Sequence, residues 1–88
     1  MIEKQLTITN KTGLHARPAS VFVAESMKFK AKITVATEAK KVDAKSLISI
    51  LSLGASKGTE ITIQAEGEDE ETAVTRLAEL LTSDFEVA

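Results

Sequence analysis

The stretch "KSLISILSLGASKGTEITI" (residues 45–63) sets the terms of the fold. Ser46 is of the type that caps helix N-termini, and Gly54 of the type that follows their C-termini. Between them, Leu47, Ile48, Ile50, Leu51 and Leu53 are too many apolar side chains for one face of a two-turn helix. Part of that surface should therefore stay exposed. Residues 59–66 then alternate strictly, with Ile61, Ile63 and Ala65 to one side, which reads as a strand with one buried face. A short helix feeding such a strand suits a domain whose helices cover one side of a sheet.

The flanking segments extend this pattern. Downstream, Asp69, Glu70 and Glu71 open a helix whose apolar stripe is Ala73, Val74, Leu77, Leu80 and Leu81. Acids in the first turn suit the helix dipole. Upstream, Ile33 and Val35 alternate with Lys32 and Thr34, and residues 41–43 read as a short return strand. Residues 16–27 carry Ala19, Phe22, Val23 and Met27 at helical spacing. At the N-terminus Ile2, Leu6 and Ile8 point one way, with Lys4 the exception, and Glu3, Gln5, Thr7 and Thr9 point the other. Residues 10–13 read as a loop. The order β-α-β-β-α-β-α predicts an antiparallel or mixed sheet with helices packed on one face.

Composition narrows the function. The 88 residues make one domain, 1–88. A chain this short buries only roughly 60–65% of its unfolded surface, so the core is small. Eleven Lys and Arg against thirteen Asp and Glu leave a net charge of −2, which opposes a general nucleic-acid binder. With no cysteine there is neither a disulfide nor thiol chemistry, and one histidine cannot build the usual zinc shell. No metal and no cofactor are expected. No apolar run approaches the ~20 residues of a membrane span, and "MIEKQLTITN" has no signal-peptide core. A cytoplasmic protein with no membrane insertion is the expectation.

The only histidine and the only proline share the stretch "GLHARPAS" (residues 13–20). A helix starting at Ala16 makes His15 its N-cap and puts Pro18 in the first turn, where its missing N–H costs no bond. Proline biases the residue before it away from helix, so an irregular start is in play. Leu14 stands where a hydrophobic staple would. An imidazole at a helix N-terminus meets free N–H groups and the positive end of the dipole. That favours a neutral, nucleophilic ring and any anion attached to it, by ~0.3–1 kcal/mol. Arg17 adds a guanidinium fork suited to phosphate oxygens. Ala16, Arg17 and Pro18 thus form a candidate phosphate cradle around a candidate nucleophile. The plainer reading is a surface histidine that caps a helix. No second group for acid–base catalysis is visible nearby.

"GLHARPAS", followed at its distance by "KSLISILSLGASKGTEITI", closely resembles the histidine-containing phosphocarrier (HPr) family of the bacterial sugar phosphotransferase system. The resemblance covers essentially the whole chain. It implies an α+β open-faced β-sandwich: a four-stranded antiparallel sheet with three helices on one face. His15 would accept a phosphoryl group on Nδ1 from phosphorylated enzyme I and pass it to a histidine on the enzyme IIA domain of a sugar transporter. Arg17 would support that group. The chain would be a phosphotransfer intermediate rather than a stand-alone enzyme. In one branch of the family the serine matching Ser46 is phosphorylated by an ATP-dependent kinase that is also a phosphorylase (HPr kinase/phosphorylase), and in some bacteria this recruits a catabolite repressor. Exposed Leu47, Ile48 and Leu51 would form a docking patch; otherwise Ser46 is only a cap and the three apolar residues are core.

Two departures from the family's usual pattern stand out. Ile48 and Leu51 replace methionines common in this helix and adapt less to a partner. The turn Thr37-Glu38-Ala39-Lys40 lacks a glycine, which leaves its type open. Within the family the rivals are a regulatory paralogue acting by protein binding and a carrier in a nitrogen-related phosphotransfer chain. From another class, an RNA-binding module has only "KFKAKI" (residues 28–33) in its favour, with one Phe and an acidic overall balance against it. A monomer suits a shuttle.

Overall fold

The computed structural model describes residues 1–9, 13–14 and 16–82. Among these the order is β1 (Ile2–Thr7), α1 (Ala16–Ser26), β2 (Lys32–Ala36), β3 (Lys41–Asp43), α2 (Leu47–Ser52), β4 (Glu60–Glu66) and α3 (Glu70–Leu81). The strands form one antiparallel sheet in the order β1-β4-β2-β3. The last strand is therefore inserted between the first two. Of the loop expected at residues 10–13, residues 10–12 lie outside the described residues.

The period-two pattern decides which face is buried. Ile61, Ile63 and Ala65 of β4 and Ile33 and Val35 of β2 all lie at 1% exposure or less. In register, Ile33 pairs with Ala65 and Val35 with Ile63, so the apolar rows of the two strands coincide. The helices lie against that face: Ala19, Phe22 and Val23 come from α1, Ile50 from α2, and Ala73, Val74, Leu77 and Leu81 from α3. The other face is polar. There Gln64 Nε2 donates to Glu3 Oε1 at 2.7 Å, and Lys32 sits opposite Glu66. The α+β open-faced sandwich with three helices is the observed architecture.

Lys4 pairs with Ile63 on the helix side of β1 yet remains exposed. β1 is an edge strand, and a lysine on its inward row blocks edge-to-edge pairing. The β2–β3 turn needs no glycine. Thr37 N donates to Lys40 O at 2.8 Å, and Thr37 Oγ1 accepts from Ala39 N at 3.2 Å. A threonine hydroxyl thus replaces the backbone freedom a glycine supplies.

Two expectations need correction, the buried positions of Met27 and Leu80. Met27 does not join the buried stripe: α1 ends at Ser26, and Met27 lies in the following turn, 64% exposed. Phe29 packs at the rim of the core instead. Lys28 pairs with Glu25 and Lys30 with Glu68, so "KFKAKI" offers no stacking platform. In α3, Leu80 is only half-buried and Ala78 takes the interior position. Asp69 makes no side-chain cap bond to α3. Its carboxylate instead accepts from Lys30 N and Ala31 N, both at 2.8 Å, while Glu70 Oε1 accepts from Gly67 N at 3.0 Å. The loop before β2 has no ladder partner for those two N–H groups, and a carboxylate satisfies both. Gly67 allows this approach, since a Cβ there would lie 2.6 Å from Ala31 Cα.

The bond from Lys30 N–H, reinforced by that from Ala31, holds the Asp69 carboxyl below its ordinary pKa. A depressed folded pKa means the stabilisation is complete above the unfolded value of about 4 and is lost as pH falls through the lower folded value. Asp69→Asn should lower the melting temperature at pH 7, and the gap from wild type should close under acid. Thermal melts of both chains from pH 7 down to pH 2 check this, and a gap of constant size would show that the carboxylate's charge contributes nothing.

Candidate functional site

The first helix fixes one side of the site. α1 begins at Ala16, directly after His15 in the chain; His15 itself lies outside the described residues. Pro18 is buried within the first turn, where the lack of an N–H leaves no carbonyl unpaired. Arg17 is exposed on the same turn. The backbone of Ala16, Arg17 and Pro18 therefore frames a helix N-terminus that opens toward the preceding residues.

Gly13 and Leu14 fix the approach to that terminus. Leu14 is wholly buried, and its N–H donates to Ala55 O at 3.0 Å. Gly13 has φ +64°, and a Cβ on it would lie 2.5 Å from Ser56 Cα and 2.7 Å from Ala55 O. These are backbone atoms and cannot rotate away. No sequence signal pointed to Ala55 and Ser56, because the contact spans some forty residues and involves backbone only.

The partner segment follows directly from α2. Ser46 caps that helix: its φ and ψ are −110° and 114°, its Oγ accepts from Ser49 N at 3.3 Å, and its carbonyl accepts from Ile50 N at 3.0 Å. Gly54, at φ +62°, sits just beyond the helix, as expected. Ile50 is the buried anchor and Leu53 is half-buried against the core. Leu47, Ile48 and Leu51 are exposed by 40%, 81% and 41%. The excess of apolar residues is thus resolved as predicted: one face holds the helix down and the other is presented to solvent. α1 packs beside α2, and the Leu14 N–H bond to Ala55 O ties the approach to α1 to the segment that follows α2. Among the described residues no cluster of three or more His, Cys, Asp or Glu could hold a metal.

The profile of the family described as "PTS HPr component phosphorylation site" matches residues 2–83. This chain belongs to the HPr family. The phosphocarrier protein HPr of Xylella fastidiosa (strain Temecula1) is 44% identical over 85 residues, covering 97% of this chain and 96% of that one. The crystal structure of the phosphocarrier protein HPr of Bacillus anthracis is similar at a TM-score of 0.90, with 41% identity, covering 92% of this chain and 96% of that one. The HPr-like protein Crh of Bacillus subtilis is 44% identical over 78 residues, covering 89% and 92% of the two chains. A crystal structure of Crh, a swapping domain in an intertwined dimer, matches at a TM-score of 0.73 with 42% identity, covering 92% of this chain and 93% of that one. HPr proteins are phosphocarriers of the phosphotransferase system, intermediates in transfer rather than stand-alone enzymes. Among the described residues no helix is long and apolar enough to cross a membrane.

The cap geometry makes Ser46 testable without any partner. Ser46→Ala should destabilise the chain by about 1 kcal/mol, and Ser46→Asp should recover most of that, since aspartate caps as well as serine. Urea unfolding of the three chains measures it.

Proposed function

We propose that this chain is the general carrier of a sugar phosphotransferase system, taking a phosphoryl group from phospho-enzyme I onto His15 Nδ1 and passing it to an enzyme IIA domain. The observation that carries the reading is the start of α1 at Ala16, immediately after the only histidine in the chain, with Arg17 exposed on the first turn. In each step a P–N bond forms at the acceptor ring while the P–N bond of the donor ring breaks and its electron pair returns to the donor. The attacking nitrogen must carry no proton, and the dipole of α1 favours that state. Arg17 offers its fork to the phosphoryl oxygens. A phosphate cradle worth ~0.3–1 kcal/mol from the helix terminus orients the group without trapping it, which a two-way carrier requires.

Leu47, Ile48 and Leu51 form the docking patch in this reading. Enzyme I, IIA domains, an HPr kinase/phosphorylase and a catabolite repressor are the partners, met in the cytoplasm by a monomer. Ser46 is the regulatory phosphorylation site. A phosphate there would carry about −1.5 to −2 charges and face the N-terminus of α2, so it would not unfold the helix. It would act on docking, because a dianion at the edge of an apolar patch must be desolvated or must face the partner's acids. The 44% identity with Crh supports a second reading, a regulatory paralogue acting by protein binding. The presence of His15 favours the carrier.

Incubation with phosphoenolpyruvate and enzyme I tests the proposal. Wild type should gain one acid-labile phosphate, and His15→Ala should gain none while keeping its fold. Retention of that phosphate by the variant would remove the assignment, and a wild type that takes up none would leave the regulatory reading. Gel filtration of the same samples should show a monomer, and a dimer peak would count against the free shuttle.

The docking patch has its own test. Ile48→Ala should weaken enzyme I binding about tenfold, the loss of one well-placed apolar contact. Its melting temperature should hardly move, because a side chain 81% exposed contributes little to folding. Calorimetric titration and a thermal melt read the two quantities, and unchanged affinity would take Ile48 out of the interface.

A further inference from the structure

We infer that Gly13 is a positioning residue for the transfer proposed above, its lack of a side chain letting the backbone before His15 seat without clearance on Ala55 and Ser56; this rests on the carrier reading. A methyl group at 13 would stand 2.5 Å from Ser56 Cα, against ordinary contact at 3.4 Å or more. The seat does not yield easily. Ser56 N donates to Thr59 Oγ1 at 3.1 Å, and Thr59 N donates back to Ser56 O at 2.9 Å. Thr59 O accepts from Ile8 N at 2.9 Å, and Gly58 N donates to Ile8 O at 2.8 Å, which ties the turn to the end of β1. Ala55 is 1% exposed. The receiving segment is therefore held by the turn at Ser56 and by burial at Ala55, and a side chain at 13 must move the 13–14 backbone instead.

His15 is covalently tied between two anchored neighbours. Leu14 is buried and bonded to Ala55 O; Ala16 begins a helix whose Pro18 and Ala19 are buried. A shift of the 13–14 backbone by about 1 Å has to change how the chain enters α1, and a displacement of that size at a reacting group costs up to about 100-fold in rate. Docking rests on a different surface, the exposed side of α2. The effect of Gly13 should fall on the transfer step and not on binding.

Gly58 supplies the control. It also has positive φ, +93°, but a Cβ there meets nothing within 4 Å. Alanine at either position strains the backbone; only at 13 does it also collide. The experiment measures phosphorylation of wild type, Gly13→Ala, Gly58→Ala and Thr59→Val by enzyme I and phosphoenolpyruvate. Gly13→Ala should lose about 10- to 100-fold in kcat with KM within about twofold, and Gly58→Ala, which strains the turn but collides with nothing, should lose no more than about twofold. Thr59→Val, which removes the brace on Ser56 N without adding bulk, should lose a smaller factor in kcat. It decides the matter if Gly13→Ala fails to fold. Proton NMR titration of the His15 imidazole gives a readout independent of the partners: the curve should move in Gly13→Ala, or in Thr59→Val in its place, and clearly less in Gly58→Ala. Equal losses at 13 and 58, a loss in KM alone, or an unmoved titration curve would overturn the inference. A wild type that takes no phosphate would instead bring down the carrier reading, and the NMR arm would still decide the seat.

Discussion

The sheet depends on β4 closing between β1 and β2. Its inward residues, Ile61, Ile63 and Ala65, meet Leu6, Lys4 and Ile2 on one side, and Val35 and Ile33 lie opposite Ile63 and Ala65 on the other. Because the side-chain period is two, a slip of one residue would turn that whole row to solvent. The register is therefore held by hydrophobic burial, and every helix takes its place from the face that this row defines. With one face covered, the connections at the helix ends are left to carry chemistry.

What the sequence makes legible follows from local periodicity. The alternation of residues 59–66, the surplus of apolar residues from Leu47 to Leu53, and the cap at Ser46 each depend on near neighbours, and each appears in the structure. What it hides is non-local. Met27 continues the helical spacing of α1, yet the helix stops one residue earlier and Phe29 fills the space at the core's rim. Asp69 has the composition of a helix cap but is drawn to two N–H groups nearly forty residues away. The seat of Gly13 on Ser56 involves no side chain at all, so no pattern of residue types could announce it. "HARP" names a chemistry through family resemblance; the backbone packing just before it involves residues some forty positions away.

The two proposed sites meet at one short helix. The C-terminal end of α2 leads into Ala55 and Ser56, which receive the backbone before His15. Its N-terminal end is Ser46. Six helical residues rise about 9 Å, so the serine and the seat are separated by the length of the exposed apolar surface. Ser46 and the seat of Gly13 thus stand at opposite ends of α2, and in the proposed reading any partner covering Leu47, Ile48 and Leu51 must also approach Ser46.

The small size of that apolar surface has a kinetic meaning. Three side chains on two turns are far from the roughly 800 Å² per partner of a long-lived complex. The edges add nothing to it, since β1 carries Lys4 and β3 is only three residues long. If partners dock there as proposed, so small a patch favours contacts that part quickly, because affinity differences of this kind reside mainly in the rate of leaving. A carrier that clung to its donor would idle. In the carrier reading, weak adhesion confined to one short helix would set the pace at which a single molecule alternates between supplier and recipient.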